Sequence, residues 1–340
     1  MSGIVLGCRK TRITARNLAN ALEAEYAENY VNPNDTYKFA FRYGNSQANL
    51  PSNRPCVIIN TARSIEIAAN KPRCRKILRE NEIPVPTTWS SDYTLNHIDL
   101  VHRNWSKPLI ARPRYHFQGR NFKFAKTLSQ AQEFLNCNYY LQEIIEKLEE
   151  YRVFIFNGKF FEVNKKVPTD AVKSDIIRNY GNGWFFQWMP YDTAPKTMLA
   201  YCKKAANAIE LEWSAIDCCI DTAGNAYIFE INSAPALISR KCQKLAEKIQ
   251  DHVNNLWPQM RGESLTLNNV ENFVNTHSQL NGRSRPRNTI HIDEFFNDTT
   301  PPDTTPPQYH MPPPFIRITD EELARMRREI RSTYTTRWQR

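Results

Sequence analysis

The sequence predicts a mixed α/β (α+β) fold. Through residue 80, short apolar runs alternate with amphipathic stretches, the order expected of a strand-and-helix unit. Between Pro84 and Gly158 the runs crowd together and are separated by turns, a strand-rich pattern. From Ala215 to Pro235, two apolar strands near 215–220 and 226–231 flank the turn Thr222-Ala223-Gly224-Asn225.

Composition narrows the functions available. A chain of 340 residues can bury a substantial core in about two domains. No apolar run reaches the roughly 18 residues of a membrane span, and Met1–Lys10 lacks the apolar core of a secretory leader, which predicts a cytoplasmic protein without a membrane partner. Its 8 cysteines form no CxxC pair and read as reduced core residues rather than disulfides or a zinc site. The net charge of +10 suits a polyanionic partner or, more simply, nucleotide phosphates.

In chain order, Gly3–Leu6 reads as a strand, Ala15–Leu22 as a helix, Tyr37–Arg42 and Cys56–Asn60 as strands, and Ile65–Leu78 as a helix interrupted at Pro72. The loops Arg9-Lys10-Thr11-Arg12 and Arg42-Tyr43-Gly44-Asn45-Ser46 follow strands, where α/β sheets hold anionic groups. Pro108–Pro113 and Phe122–Ala125 read as strands around a polar loop, Arg114–Arg120, that contains His116 and Gly119. Then come a helix at Thr127–Leu135, a strand at Tyr139–Ile145, and the hairpin Tyr151–Phe156 with Lys159–Val163, turned by Asn157-Gly158. Ser239–Leu256 closes the series as an amphipathic helix with Leu245, Ile249 and Val253 on one side.

The strand at 226–231 carries the chemistry. Glu230 and Asn232 lie two residues apart and share a face, and Asp217 on the partner strand joins them if the hairpin is in register. Two carboxylates and an amide oxygen suit a hard cation such as Mg²⁺ bound with a nucleotide.

Residues 1–236 resemble an ATP-grasp ligase, close in pattern to D-alanine–D-alanine ligases and RimK-type amino-acid ligases. Asp217 precedes Glu230 by thirteen positions, and Glu230, Asn232 and Pro235 reproduce the E-x-N-x-x-P segment. Glu150 lies seven residues after Glu143, the family's spacing from adenine-pocket acid to ribose acid. Asn70-Lys71 stands twelve residues before the Ile83-Pro84 pair, matching the family's D-K and L-P anchors.

The resemblance implies an ATP-grasp fold with an N-terminal pre-ATP-grasp domain at 1–66, a lid or central subdomain at 67–143, and a metal-bearing subdomain at 144–258. It implies a metal site of Asp217, Glu230 and Asn232 for Mg²⁺, with Mn²⁺ as an alternative. Glu143, Ile145 and Glu150 would take adenine and ribose. The family's two phosphate lysines fall on Arg75 and Arg112, a departure that keeps the charge for nucleotide binding and replaces a point charge by a planar fork. Lys165 or Lys166 would supply a further nucleotide lysine. Arg152, Arg178 and Asn179, with Gly181 and Gly183 near them, would face the reacting phosphate. The implied reaction is ATP-dependent joining of a carboxylate to an amine (amino acid, peptide or protein) through an acyl-phosphate. The alternative is a nucleotide-binding scaffold that has lost ligation.

Residues 259–318 read as a polar and Pro-rich linker, and 319–340 as a basic amphipathic helix opened by Thr319-Asp320-Glu321-Glu322. That helix suits a homo-oligomer contact and only weakly suggests nucleic acid.

Overall fold

Three sheets, with helices packed on them, organise the computed structural model, which describes residues 2–32, 34–50, 56–91, 100–115 and 122–260. The loop expected to continue past Tyr115 through His116 and Gly119, the linker and the 319–340 helix lie outside the described residues.

The first sheet is parallel, in the order β2 (Glu25–Ala27), β1 (Gly3–Leu6), β3 (Phe39–Arg42), β4 (Val57–Ile59). Its strands are short and almost continuously apolar because both faces are covered. Helix α1 (Arg12–Leu22) and helix α6 (Ser239–Met260) share a core with Phe39, Phe41 and Tyr43 on one face. The stretch expected as one interrupted helix is two, α2 (Ala62–Ala69) and α3 (Lys71–Glu80). Asn70 ends the first and caps the second, its side chain accepting from Arg73 N at 3.3 Å, and Pro72 sits in the first turn, where its missing N–H costs nothing.

The second sheet is antiparallel, in the order β5 (Thr88–Trp89), β8 (Tyr139–Gln142), β6 (Leu109–Pro113), β7 (Lys123–Ala125), and is backed by helix α4 (Leu128–Asn136). The third, also antiparallel, runs β11 (Trp184–Met189), β10 (Lys159–Pro168), β9 (Lys147–Phe156), β12 (Trp213–Asp221), β13 (Ala226–Asn232). Asn157 and Gly158 turn β9 into β10 with φ of 47° and 71°, the left-handed pair an Asn-Gly hairpin provides. Strand β9 starts at Lys147, four residues earlier than the sequence suggests, so Glu149 and Glu150 lie inside the strand. Helix α5 (Lys196–Ile209) lies against β9, β12 and β13. Among the described residues, no helix is long and apolar enough to cross a membrane, and all 8 cysteines are free thiols.

Candidate active site

One face of the third sheet is divided into two halves. Side chains alternate across β9, so Glu150, Arg152, Phe154 and Phe156 share a face; Asp217, Ala215 and Trp213 join it from β12 through the pairings Asp217–Arg152, Ala215–Phe154 and Trp213–Phe156. Phe154, Phe156, Trp213 and Ala215 are buried in the core shared with the first sheet. The polar half, from Glu150 and Arg152 to Glu230, forms the wall of the candidate site. Gly44 makes the close approach of the loop after β3 to the segment after β13 possible: a Cβ there would stand 2.7 Å from that of Ala234, and its φ is +73°.

A continuous row crosses the open half. Direct cross-strand partners run Trp188, Asn164, Arg152, Asp217, Glu230, one from each of five strands. Arg152 grips Asp217 with two parallel bonds, Nε to Oδ1 at 2.6 Å and Nη2 to Oδ2 at 2.8 Å. Burial pushes the Asp217 carboxyl up, and the Arg152 guanidinium pulls it back. Arg152 itself is lowered by burial but raised more by Asp217, so it stays charged. Asn232 Nδ2 donates to Glu230 Oε1 at 3.0 Å and lies 3.5 Å from Asp217 Oδ2. The three expected metal ligands are therefore together. Each carboxylate oxygen has two lone-pair directions, so the Arg152 clamp leaves acceptor capacity on Asp217. Two carboxylates, with the Asn232 amide whose Oδ1 here accepts from Lys71, offer oxygen donors that fit Mg²⁺ or Mn²⁺ and are poor for a thiophilic ion.

Lys71, which served in the sequence only to mark a spacing, joins this group. It is buried, and its amine donates to Ile231 O at 3.0 Å and Asn232 Oδ1 at 3.3 Å. Phe186 was also missed. Its ring lies under Arg152 at 4.6 Å and under Lys166 at 5.3 Å, so one aromatic face holds two cations of the site. The run Trp184–Met189 gave no alternating signal from which this placement could be read.

The two candidate lysines separate by face. Lys166 bonds Glu150 and donates to Arg178 O at 2.5 Å, on the side of Arg152. Lys165 pairs in register with Tyr151 and bonds Glu149, on the opposite side. Of the two lysines between which the sequence left the choice open, Lys166 is therefore the one on the face of Arg152. Glu150 is buried between Lys166 and Lys147, the latter at 2.7 Å; burial pushes its carboxyl up, but the two ammonium groups bring it below the ordinary range.

The two arginines in the phosphate positions also differ. Arg75 is buried, and its nitrogens donate to Phe229 O (3.1 and 2.8 Å), Thr88 Oγ1 (3.0 Å) and Gln142 Oε1 (2.9 Å). It ties α3 to the second and third sheets, and its donors are turned to protein acceptors. Arg112 sits on β6 opposite Tyr140, and its Nε is buried without a hydrogen-bond partner among the described residues. Glu143 accepts from Thr87 N at 2.6 Å, and Ile145 is half-buried just before β9. Arg178 donates to Lys147 O (2.7 Å) and Asp175 (2.9 Å) and lies 4.4 Å from the Trp184 ring, while Asn179 Oδ1 accepts from Asn182 N at 3.0 Å. Both pin the loop between β10 and β11 rather than pointing along the Arg152 row.

The RimK-like ATP-grasp domain model matches residues 68–252, more than half of the chain. The chain belongs to the RimK-like ATP-grasp family. It is 24% identical over 187 residues to a protein of Shewanella pealeana named "Probable alpha-L-glutamate ligase", a match covering 53% of this chain and 39% of that protein. The chain thus spans well under two thirds of that relative's length. Among solved structures it resembles D-alanine–D-alanine ligase from Bacillus anthracis (TM-score 0.54, 15% identity, 76% of this chain and 98% of that one). It likewise resembles the ATP-grasp ligase PsnB complexed with a minimal precursor (TM-score 0.53, 11% identity, 74% and 98%). At these identities the likeness is one of fold.

Proposed function

We propose that this RimK-like ATP-grasp protein is an ATP-dependent carboxylate–amine ligase acting in the cytoplasm. A substrate carboxylate attacks the γ-phosphorus of ATP, the bond to the β,γ-bridging oxygen breaks, and ADP departs. An amine then adds to the acyl-phosphate carbon, and the tetrahedral adduct expels inorganic phosphate and loses a proton to give an amide. Such transfers need positioning and charge neutralisation rather than a covalent nucleophile. The observation that carries the reading is the Arg152–Asp217–Glu230 row with Asn232 and Lys71 beside it.

In this reading Asp217, Glu230 and Asn232 hold Mg²⁺ or Mn²⁺, which when bound neutralises phosphate oxygens as a Lewis acid. Arg152, Lys166 and Arg112 offset charge on the transferred phosphoryl group. Glu143, Ile145 and Glu150 border the nucleoside, with Glu150 having to share its carboxylate with two lysines. Arg178 and Asn179 shape the covering loop. Residues 1–66, 67–143 and 144–258 serve as pre-ATP-grasp, lid and metal-bearing domains. The committed donors of Arg75 are the feature that favours a nucleotide-binding scaffold instead. Incubation with ATP, Mg²⁺ and pools of amino acids, small acids and peptides separates the two. Phosphate release with a new amide mass supports ligation; saturable nucleotide binding without turnover leaves the scaffold.

A further inference from the structure

Lys147 belongs to no motif of the sequence, yet its side chain is only 7% exposed and reaches Glu150. A break in register puts it there. Ile220 of β12 pairs with Glu149 and Asp221 with Lys147, so Leu148 is an extra residue on β9. On a regular strand, residues three apart face opposite ways; the extra residue turns Lys147 to the side of Glu150. Its ammonium donates to Glu150 Oε2 at 2.7 Å and to Ile176 O, on the loop between β10 and β11, at 3.0 Å. It also stands 5.6 Å from the centre of the Phe229 ring.

Glu150 therefore carries an ammonium on each oxygen, Lys147 on Oε2 and Lys166 on Oε1. In the reading above, on which this inference rests, Glu150 borders the nucleoside, so the ribose hydroxyls donate to these same two oxygens. A carboxylate already neutralised by two cations is a weaker acceptor than one holding a single cation, and the ammonium on Oε2 fills one of its lone-pair directions. Lys147 can withdraw without becoming an unpaired buried charge, because Ile176 O and the Phe229 face remain to it. Lys166, by contrast, is held on the Arg152 side by Arg178 O and the Phe186 ring. We infer that Lys147 is an internal competitor of the ribose: it sets how much of the nucleotide's affinity its hydroxyls supply, and it retires to the loop carbonyl when they take Glu150 Oε2.

Two nucleotides isolate this contribution. ADP has both ribose hydroxyls and 2′,3′-dideoxy-ADP has neither, so the ratio of the dideoxy to the ADP dissociation constant measures what the hydroxyls gain. Losses common to both nucleotides, such as weaker attraction of the phosphates or a loosened fold, cancel in that ratio. Calorimetry on the full-length protein with Mg²⁺ gives it for each variant. Lys147→Met, which keeps the length of the stem and drops the charge, should raise the ratio about fivefold, the scale of one net hydrogen bond. Lys147→Gln, a neutral side chain that still has a donor for Ile176 O, is the second variant and should move it the same way. Lys147→Arg keeps the charge and should stay within about twofold of wild type, and adding Glu150→Gln to Lys147→Met should abolish the gain. A wild-type ratio above one that Lys147→Met and Lys147→Gln leave unchanged or lower would overturn the inference while leaving the nucleoside at Glu150. A ratio near one in wild type and both neutral variants alike would take the nucleoside away from Glu150, and no ADP binding at all would remove the nucleotide reading; either result removes this inference with it.

Discussion

Glu212, at the start of β12, offers a test of the packing that holds the site open. Its Oε2 is buried without a hydrogen-bond partner among the described residues, and burial alone pushes the carboxyl from an ordinary 4.5 up to about 7. The folded value exceeds the unfolded one, so the folded state holds the extra proton between these two values. Its contribution is fully present below about pH 4.5 and is lost as pH rises through about 7. At about 1.36 kcal/mol per pH unit the gap is worth about 3 kcal/mol, and the half-buried side chain trims this to about 2 kcal/mol. Glu212→Gln removes the ionisation. Near pH 4.5 the variant should match wild type or fall slightly below it; at pH 8 it should be more stable by about 2 kcal/mol, somewhat under about 1 M in urea midpoint. Urea unfolding across this range, followed by tryptophan fluorescence, reads the difference. Parallel stability curves for the two proteins from pH 4.5 to 8 would refute the reasoning.

The remaining predictions concern the site itself. Glu230→Ala should abolish ATP turnover while leaving the far-UV dichroism and melting profile intact; turnover within about twofold of wild type would remove Glu230 from the metal site. Lys166→Met should reduce nucleotide affinity or turnover at least tenfold more than Lys165→Met, a ratio of about 1.4 kcal/mol readable by calorimetry and phosphate release, because only Lys166 shares a face with Arg152. Arg112→Met should weaken ATP binding by about 1.5–3 kcal/mol without altering the melting temperature, whereas Arg75→Met should disturb folding first, since it strands the Phe229 carbonyl and the Gln142 amide. Acidification should erode the contribution of Glu150, whose pairs with Lys166 and Lys147 stabilise the fold fully above its unfolded range and are lost as pH falls through its depressed value; Glu150→Gln should flatten the acid limb of the unfolding curve.

Much of this architecture can be read directly from the residues. An Asn-Gly turn locates the β9–β10 hairpin, though not the outer residues of either strand, and uninterrupted apolar runs suffice for β1 and β3, because local pattern and burial point the same way. Strands β2 and β5, three and two residues long, carry no period to detect and exist through pairing alone. Strand β11, Trp-Phe-Phe-Gln-Trp-Met, is nearly continuously aromatic and so conceals which of its side chains face the site. Helix α5 does carry a periodic set, Met198, Leu199, Cys202, Ala205, Ala206 and Ile209, and was legible in principle.

The site proved harder to read than the fold, for a reason visible in two registers. An uninterrupted hairpin from the Ile220–Ala226 pair would set Asp217 opposite Phe229 and send Glu230 to the other face; one extra residue, Phe229, shifts the ladder so that Asp217 meets Glu230. The same event occurs in β10. Continued regularly from the Phe156–Lys159 pair, Lys165 would lie opposite Glu150, but a shift at Phe161 moves it to Tyr151 and brings Lys166 to Glu150. Each irregularity has a tertiary cause. The Phe161 ring packs edge-on against Trp213 at 5.3 Å, and the Phe229 carbonyl is taken by Arg75 from α3. A period of two predicts which residues share a face only while the ladder stays regular, and here contacts more than fifty residues distant in sequence decide where it breaks. Arg75, in bracing the Phe229 carbonyl, therefore acts on the candidate metal site through the backbone, by holding Glu230 on the face that Asp217 and Arg152 occupy.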